Sequence, residues 1–255
     1  MAEPGTSSGF RLALALALAF PLVASAAPAP PPVDALLQHL DDLYRSNSSI
    51  ARIEIAVVNP RTSRTMRLKA WTRGEEEVLV LVEGPARDAG TATLRVGQNL
   101  WNYLPRIGRT IRVPPAMMLG SWMGTDFTND DLVKESSLRK DFASRVERRS
   151  ESPPGWWLTL EVKPGVVGRW ARIEILVSDD RLPVEERHFD RKGRLARTMT
   201  FDEVKVLGGR RIPSRLTLVP TDAQGQRTEM RYFDVRFDAA VPGETFSLSR
   251  LERGP

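Results

Sequence analysis

From Ile50 to Phe237 the apolar residues of this chain recur mostly at every second position, in short runs broken by turn-forming residues. Ile53, Ile55 and Val57 alternate with Arg52, Glu54 and Ala56, and Met66, Leu68 and Ala70 alternate with Arg67, Lys69 and Trp71. This is the period of a strand with one buried face, not of a helix. Val78 to Val82 is apolar on both faces, which makes it central or covered by a helix. Further runs lie at 91–96, 99–104, 107–113, 143–149, 156–163, 170–178, 184–190, 195–203, 211–219 and 227–237. The links carry turn chemistry, as in Asn59-Pro60, Pro153-Pro154-Gly155, Gly208-Gly209 and Asp222 to Gly225. Strands recurring about every 8–12 residues predict one large antiparallel sheet or barrel.

The two ends obey other rules. After Arg11 an apolar run from Leu12 to Val23 leads to Ala24-Ser25-Ala26, the pattern of a secretory signal and its cleavage site. The run is too short to span a bilayer, which needs about 20 residues. Residues 1–26 therefore read as a signal peptide, 27–32 as a proline-rich linker, and 33–255 as a single domain without internal repeats. Asp34 reads as the N-cap of a helix reaching about Tyr44, with Leu36, Leu37, Leu40, Leu43 and Tyr44 on one stripe. In a Gram-negative cell an exported chain of this kind is expected in the periplasm.

Composition removes whole classes of chemistry. There is no cysteine, so there are no disulfides, no thiol nucleophile and no thiol to carry a lipid. Only His39 and His188 are present, not at helical spacing, so no metal site is expected. Gly120-Ser121-Trp122-Met123-Gly124 has tryptophan where a nucleophile elbow needs serine. Acidic pairs such as Asp41-Asp42 and Asp130-Asp131 read as helix-start and turn residues. No phosphate loop or dinucleotide fingerprint occurs, so no cofactor and no enzymatic activity are expected. The net charge of +5 is spread as arginines among acidic residues, which excludes a concentrated nucleic-acid footprint.

The interval Asn99 to Leu132, NLWNYLPRIGRTIRVPPAMMLGSWMGTDFTNDDL, breaks the strand rhythm after Val113. Pro114-Pro115 cannot lie inside a helix, but can open one. The stretch 116–140 reads as helical or irregular, with Thr128 capping a turn toward Asp131. The segment is rich in methionine, the side chain that adapts to partners of varied shape and specifies core packing poorly. Trp101, Tyr103, Leu104, Met117, Met118, Trp122, Met123 and Phe127 are therefore expected to line or cover an apolar cavity. The competing reading is that they fill an ordinary core. Arg106, Arg109 and Arg112 are expected at the cavity rim, facing anionic head groups or a partner, or as a solvated edge that blocks sheet pairing.

These same residues carry a resemblance. WNYLPRIGRTIRVPPAMMLGSWMGTDFTNDDL resembles the signature of the outer-membrane lipoprotein-sorting protein family, grouped with the carriers LolA and LolB. The hairpins around Arg181-Leu182-Pro183 and Ile212-Pro213-Ser214 fit the family's later half, and the resemblance spans about Ala51 to Leu248. It implies a mainly β fold, an unclosed antiparallel barrel curled around an apolar cavity under a helical lid. It also implies a monomeric periplasmic carrier of lipoprotein acyl chains or another lipid, moved toward the outer membrane. The implied partners are an inner-membrane transporter of ABC or RND type and an outer-membrane acceptor. Without an N-terminal cysteine the chain is similar to the soluble carrier, not the anchored acceptor. The alternative is an envelope-stress regulator or a structural protein using the fold for protein contacts. Such regulators carry a second C-terminal domain, and none is expected after Phe246.

Overall fold

The computed structural model describes Met1 and residues 29–44, 46–134, 138–166 and 168–253. Residues 2–26 of the signal segment and the expected mature start at Ala27 lie outside the described residues. Among the described residues thirteen strands are present: β1 (Ser48–Val58), β2 (Ser63–Arg73), β3 (Glu77–Gly84), β4 (Ala92–Val96), β5 (Asn99–Leu104), β6 (Arg109–Arg112), β7 (Phe142–Glu151), β8 (Pro154–Val162), β9 (Trp170–Ser178), β10 (Pro183–Asp190), β11 (Leu195–Leu207), β12 (Arg210–Pro220) and β13 (Arg227–Phe237). Short helices α1 (Val33–Asp42), α2 (Asn129–Lys134), α3 (Leu138–Asp141) and α4 (Leu248–Arg253) accompany them.

All thirteen strands form one antiparallel sheet in the order β6-β5-β4-β3-β2-β1-β13-β12-β11-β10-β9-β8-β7. Two meanders, β1 to β6 and β7 to β13, meet at the β1–β13 pair, and β6 and β7 are the two free edges. The sheet is not closed into a barrel. At ~4.8 Å per strand a flat version would hold its edges about 58 Å apart. Local irregularities bend it instead, with register shifts at Arg52/Ile53, Arg67/Leu68, Val146/Arg148 and His188/Phe189. Such bulges raise the local twist and curl a strand. The chain must pass from edge β6 to edge β7 between Val113 and Asp141. That single crossing is what places residues 118–134 and 138–141 over the hollow face.

Alternation sorts the core onto two faces. On the inner face Ile55, Met66, Leu68, Val80 and Val82 pack with Trp122, and Leu158, Leu160, Ile173 and Ile175 pack with Leu36 and Leu37 of α1. On the outer face Leu79, Ala92 and Leu94 pack with Phe246 and Leu251 from the C-terminal segment. This explains the doubly apolar run at Val78 to Val82. Its inner side meets Trp122 and its outer side lies under the end of the chain. Each fully buried leucine here contributes roughly 1.5–3 kcal/mol relative to exposure.

The helix α1 begins two residues earlier than the sequence suggested. Its N-cap is Pro32, with no side-chain cap, and Asp34 lies in the first turn. There the carboxylate still favours the helix, through the positive end of its dipole. Tyr44, just past α1, stacks on Tyr232 with centroids 5.0 Å apart and donates its hydroxyl to the Pro213 carbonyl at 2.9 Å. The end of α1 is thereby pinned to β12 and β13.

A candidate lipid cavity under a latched lid

Arg197, Met199 and Phe201 occupy alternate positions of β11 and so face the same side, as do Glu186 and His188 of β10 and Met230 and Tyr232 of β13. With Trp170, Ile173 and Ile175 of β9 they form the wall of a cavity of about 410 Å³. That lies within the range of about 300–1,000 Å³ typical of small-molecule sites. Leu37, Leu40 and Tyr44 close one side, and Trp122, Phe127, Leu132 and Leu138 come from the crossing segment. The middle of the wall is apolar. Its polar end gathers Arg197, His188, Glu186 and Asp131.

The crossing segment is tied down at both ends. At its base the Trp122 indole N–H donates to Thr93 Oγ1 at 3.1 Å, and the Trp122 amide donates to the Phe127 carbonyl at 2.8 Å. The intervening turn uses Met123 and Gly124 with φ of 50° and 73°, a left-handed pair that Met123 enters at a steric cost. Arg64 donates to the Met123 carbonyl, and the Asp126 amide donates to Thr228 Oγ1 at 3.0 Å. Further along, the Thr128 amide donates to Asp131 Oδ2 at 2.7 Å and the Asp131 amide donates to Thr128 Oγ1 at 3.1 Å. This reciprocal pair starts α2 as a capping box, with aspartate in place of the usual glutamate.

The cap leaves Asp131 aimed at the sheet. Arg197 donates to both of its oxygens, at 2.7 and 2.8 Å, a bidentate pair between β11 and α2. The Arg197 side chain is 6% exposed and that of Asp131 15%. Arg197 also lies over the Trp170 ring, 4.4 Å from its centroid, and donates to His188 Nδ1 at 3.4 Å. Because Nδ1 accepts, the proton of the neutral ring is on Nε2, which donates to Glu186 at 3.1 Å. Burial pushes the Asp131 carboxyl up, but the charge and hydrogen bonds of Arg197 and the Thr128 amide outweigh it and hold the group below the usual carboxylate range. Burial, joined by the charge of Arg197, holds the His188 imidazole below its usual range despite Glu186. At neutral pH the cluster is therefore an ionised pair beside a neutral histidine.

The residues singled out in the sequence divide among several places. Trp122 and Phe127 line the cavity. Met123 packs against the inner core beside Met66 and Val80. Trp101 and Tyr103 lie on the outer face with Phe246 and Leu251, since their strand partners Leu94 and Ala92 face outward there. Leu104 is half-buried opposite Arg109. Met117 is exposed and Met118 half-buried, its carbonyl accepting from the Asp130 amide at 2.7 Å. Arg106, Arg109 and Arg112 are exposed on β6 and its hairpin turn, outside the cavity lining. The sequence reading did not single out Arg197, His188 or the wall residues of β9 to β13. One signal was present, an arginine at the head of the apolar stripe Met199 and Phe201.

A family model described as uncharacterized-protein-like matches residues 74–253. The fold is similar to a DUF1329 family protein from Desulfovibrio piger, with a TM-score of 0.76 and 19% identity over 87% of this chain and 100% of that one. It is also similar to a putative outer membrane lipoprotein-sorting protein domain from Vibrio parahaemolyticus, with a TM-score of 0.71 and 23% identity over 86% and 97% of the two chains. A LolA superfamily protein from Nitrosomonas europaea follows at 0.69 and 19%, over 85% and 97%. At these identities the likeness is one of fold. No curated protein matches the chain.

Proposed function

This chain belongs to the uncharacterized-protein-like family, and from that premise we propose that it is a periplasmic carrier of acyl chains. The cargo is a lipoprotein or another lipid, held under the lid and moved toward the outer membrane. The observation that carries this reading is the cavity itself, an apolar hollow closed by a segment that two side chains latch. Exposing a chain of roughly fifteen methylenes to water costs on the order of 12 kcal/mol, at about 0.8 kcal/mol each. A carrier must match that surface when loaded and hide its own when empty. The wall from Ile173 to Tyr232 supplies the surface, and residues 118–134 hide it.

The Arg197–Asp131 pair then sets the exchange. Opening the lid separates a buried ion pair, which keeps the empty cavity shut and slows loss of a bound chain. A loading partner lowers this barrier by offering other contacts to α2. On this reading an inner-membrane transporter of ABC or RND type loads the carrier and an outer-membrane acceptor empties it. Residues 1–26 direct export, which fits a periplasmic role. No step of this scheme requires a catalytic residue or a cofactor.

The test is to purify the chain from an envelope fraction and analyse the organic extract by mass spectrometry. Acyl lipid at about one molecule per chain supports the reading. Lipid-free protein that also fails to take up an added acyl chain rejects it.

A further inference from the structure

Four large apolar side chains are exposed within thirteen residues of one another, Ile107, Ile111, Met117 and Leu119. Ile107 and Met117 are 59% and 61% exposed. All four lie where the chain forms and then leaves β6, a free edge of the sheet. Arg109 and Ile111 alternate along β6 and share a face, while Arg106 and Ile107 occupy the hairpin tip and Arg112 donates to Asn99. After Pro114-Pro115 the chain leaves β6 through a short turn with Met117 and Leu119 exposed, before Trp122 reaches Thr93 on the inner face.

The charge of this region has one sign. About one residue in eight of the whole chain is acidic, yet none occurs between Asp88 and Asp126. The charged residues of that interval are Arg95, Arg106, Arg109 and Arg112, of which the last three are exposed. Charges alone would guard a sheet edge against pairing with another chain. Exposed isoleucine, methionine and leucine undo such protection, so edge defence does not account for the set.

We propose that this edge, from Arg106 to Leu119, docks on an anionic phospholipid surface. The four apolar side chains enter the boundary of the acyl region, and the three arginines stay at the level of the phosphates, their stems lying along the apolar layer. The absence of any carboxylate in the interval favours a partner of uniform negative charge over a protein surface of mixed sign. The inference stands on the edge alone and does not depend on what the cavity holds.

The test is co-sedimentation with vesicles of phosphatidylcholine containing phosphatidylglycerol, against vesicles of phosphatidylcholine alone. The chain is compared with R106Q/R109Q/R112Q and with I107S/M117S/L119S, all sharing residues 1–28, so that any contribution of the apolar run cancels. The proposal expects binding to the anionic vesicles that weakens roughly five-fold per arginine removed and falls with salt. It expects a comparable loss in the serine variant, with the melting temperature unchanged in both because every altered side chain is exposed. Equal binding to both vesicle types, or anionic binding untouched by the substitutions, overturns it. Absence of binding to either vesicle also overturns it and leaves the edge to a protein partner.

Discussion

Arg197 of β11 holds both carboxylate oxygens of Asp131, at 2.7 and 2.8 Å, at the polar end of the cavity. The two residues are 66 positions apart and belong to the wall and to the lid, respectively. One ion pair therefore joins the wall to the crossing segment, the two parts that would separate for a chain to enter on the proposed reading. Arg197 is braced from behind by the Trp170 ring and from the side by His188. Asp131 is braced by its own capping box. Neither partner has freedom to drift, so the pair is a fixed, buried contact and not a surface one.

Removing one partner should cost more than removing both. Asp131→Ala strands a buried guanidinium, and the expected loss is about 3–5 kcal/mol of stability in denaturant unfolding. Arg197→Met combined with Asp131→Leu leaves neither charge of the pair buried without the other and should recover most of that loss. Both changes should speed the release of a bound acyl probe, measured by stopped-flow dilution. Release at the wild-type rate in the double variant would show that the pair does not hold the lid.

The same cluster predicts a pH dependence with a definite sign. His188 in the folded chain binds its proton only below its ordinary value of 6.5, because of burial first and the charge of Arg197 second. In the unfolded chain it does so near 6.5. Between those values the unfolded state holds more protons, so stability should fall as the pH drops below 6.5 and level off beneath the folded value. His188→Gln should flatten that part of a melting-temperature profile. Asp131, whose folded value is depressed, works in a lower window. Its contribution is present above the ordinary carboxylate value and is lost as the pH falls through the depressed one, so the latch itself survives mild acid.

Two substitutions in the crossing segment should behave in opposite ways. Trp122 is 2% exposed and its indole bonds to Thr93, so Trp122→Asp buries a carboxylate without a partner and should cost several kcal/mol or abolish folding. Met118 is half-buried outside the cavity lining. Met118→Asp should leave both the melting temperature and acyl-probe affinity close to wild type. A large affinity loss in a folded Met118→Asp protein would return that side chain to the site.

The strand framework was legible because period two survives in nearly every segment. The runs at 99–104, 170–178 and 227–237 coincide with β5, β9 and β13. The capping box at Thr128 was legible too, since its spacing is local. Which face a strand buries was not. Trp101 and Tyr103 alternate clearly, but their side of the sheet is decided by Phe246 and Leu251, more than a hundred residues away. The latch was hidden for the same reason, because Arg197 acquires its meaning only when the β6-to-β7 crossing brings Asp131 to it. Methionine richness pointed to adaptable surface, and the structure spreads those methionines over the exposed edge, the lid and the inner core.

The most direct test of the central claim fills the cavity instead of breaking it. Leu216 lines the hollow and is not fully buried, so Leu216→Trp should occupy space that a chain would take. Binding of a fluorescent fatty-acyl probe is measured for both proteins alongside thermal melting. The account predicts saturable binding at about one probe per wild-type chain, and loss of most of that binding in Leu216→Trp at an unchanged or higher melting temperature. A wild-type chain that binds no probe, or a filled variant that binds it equally well, would contradict an acyl-binding cavity.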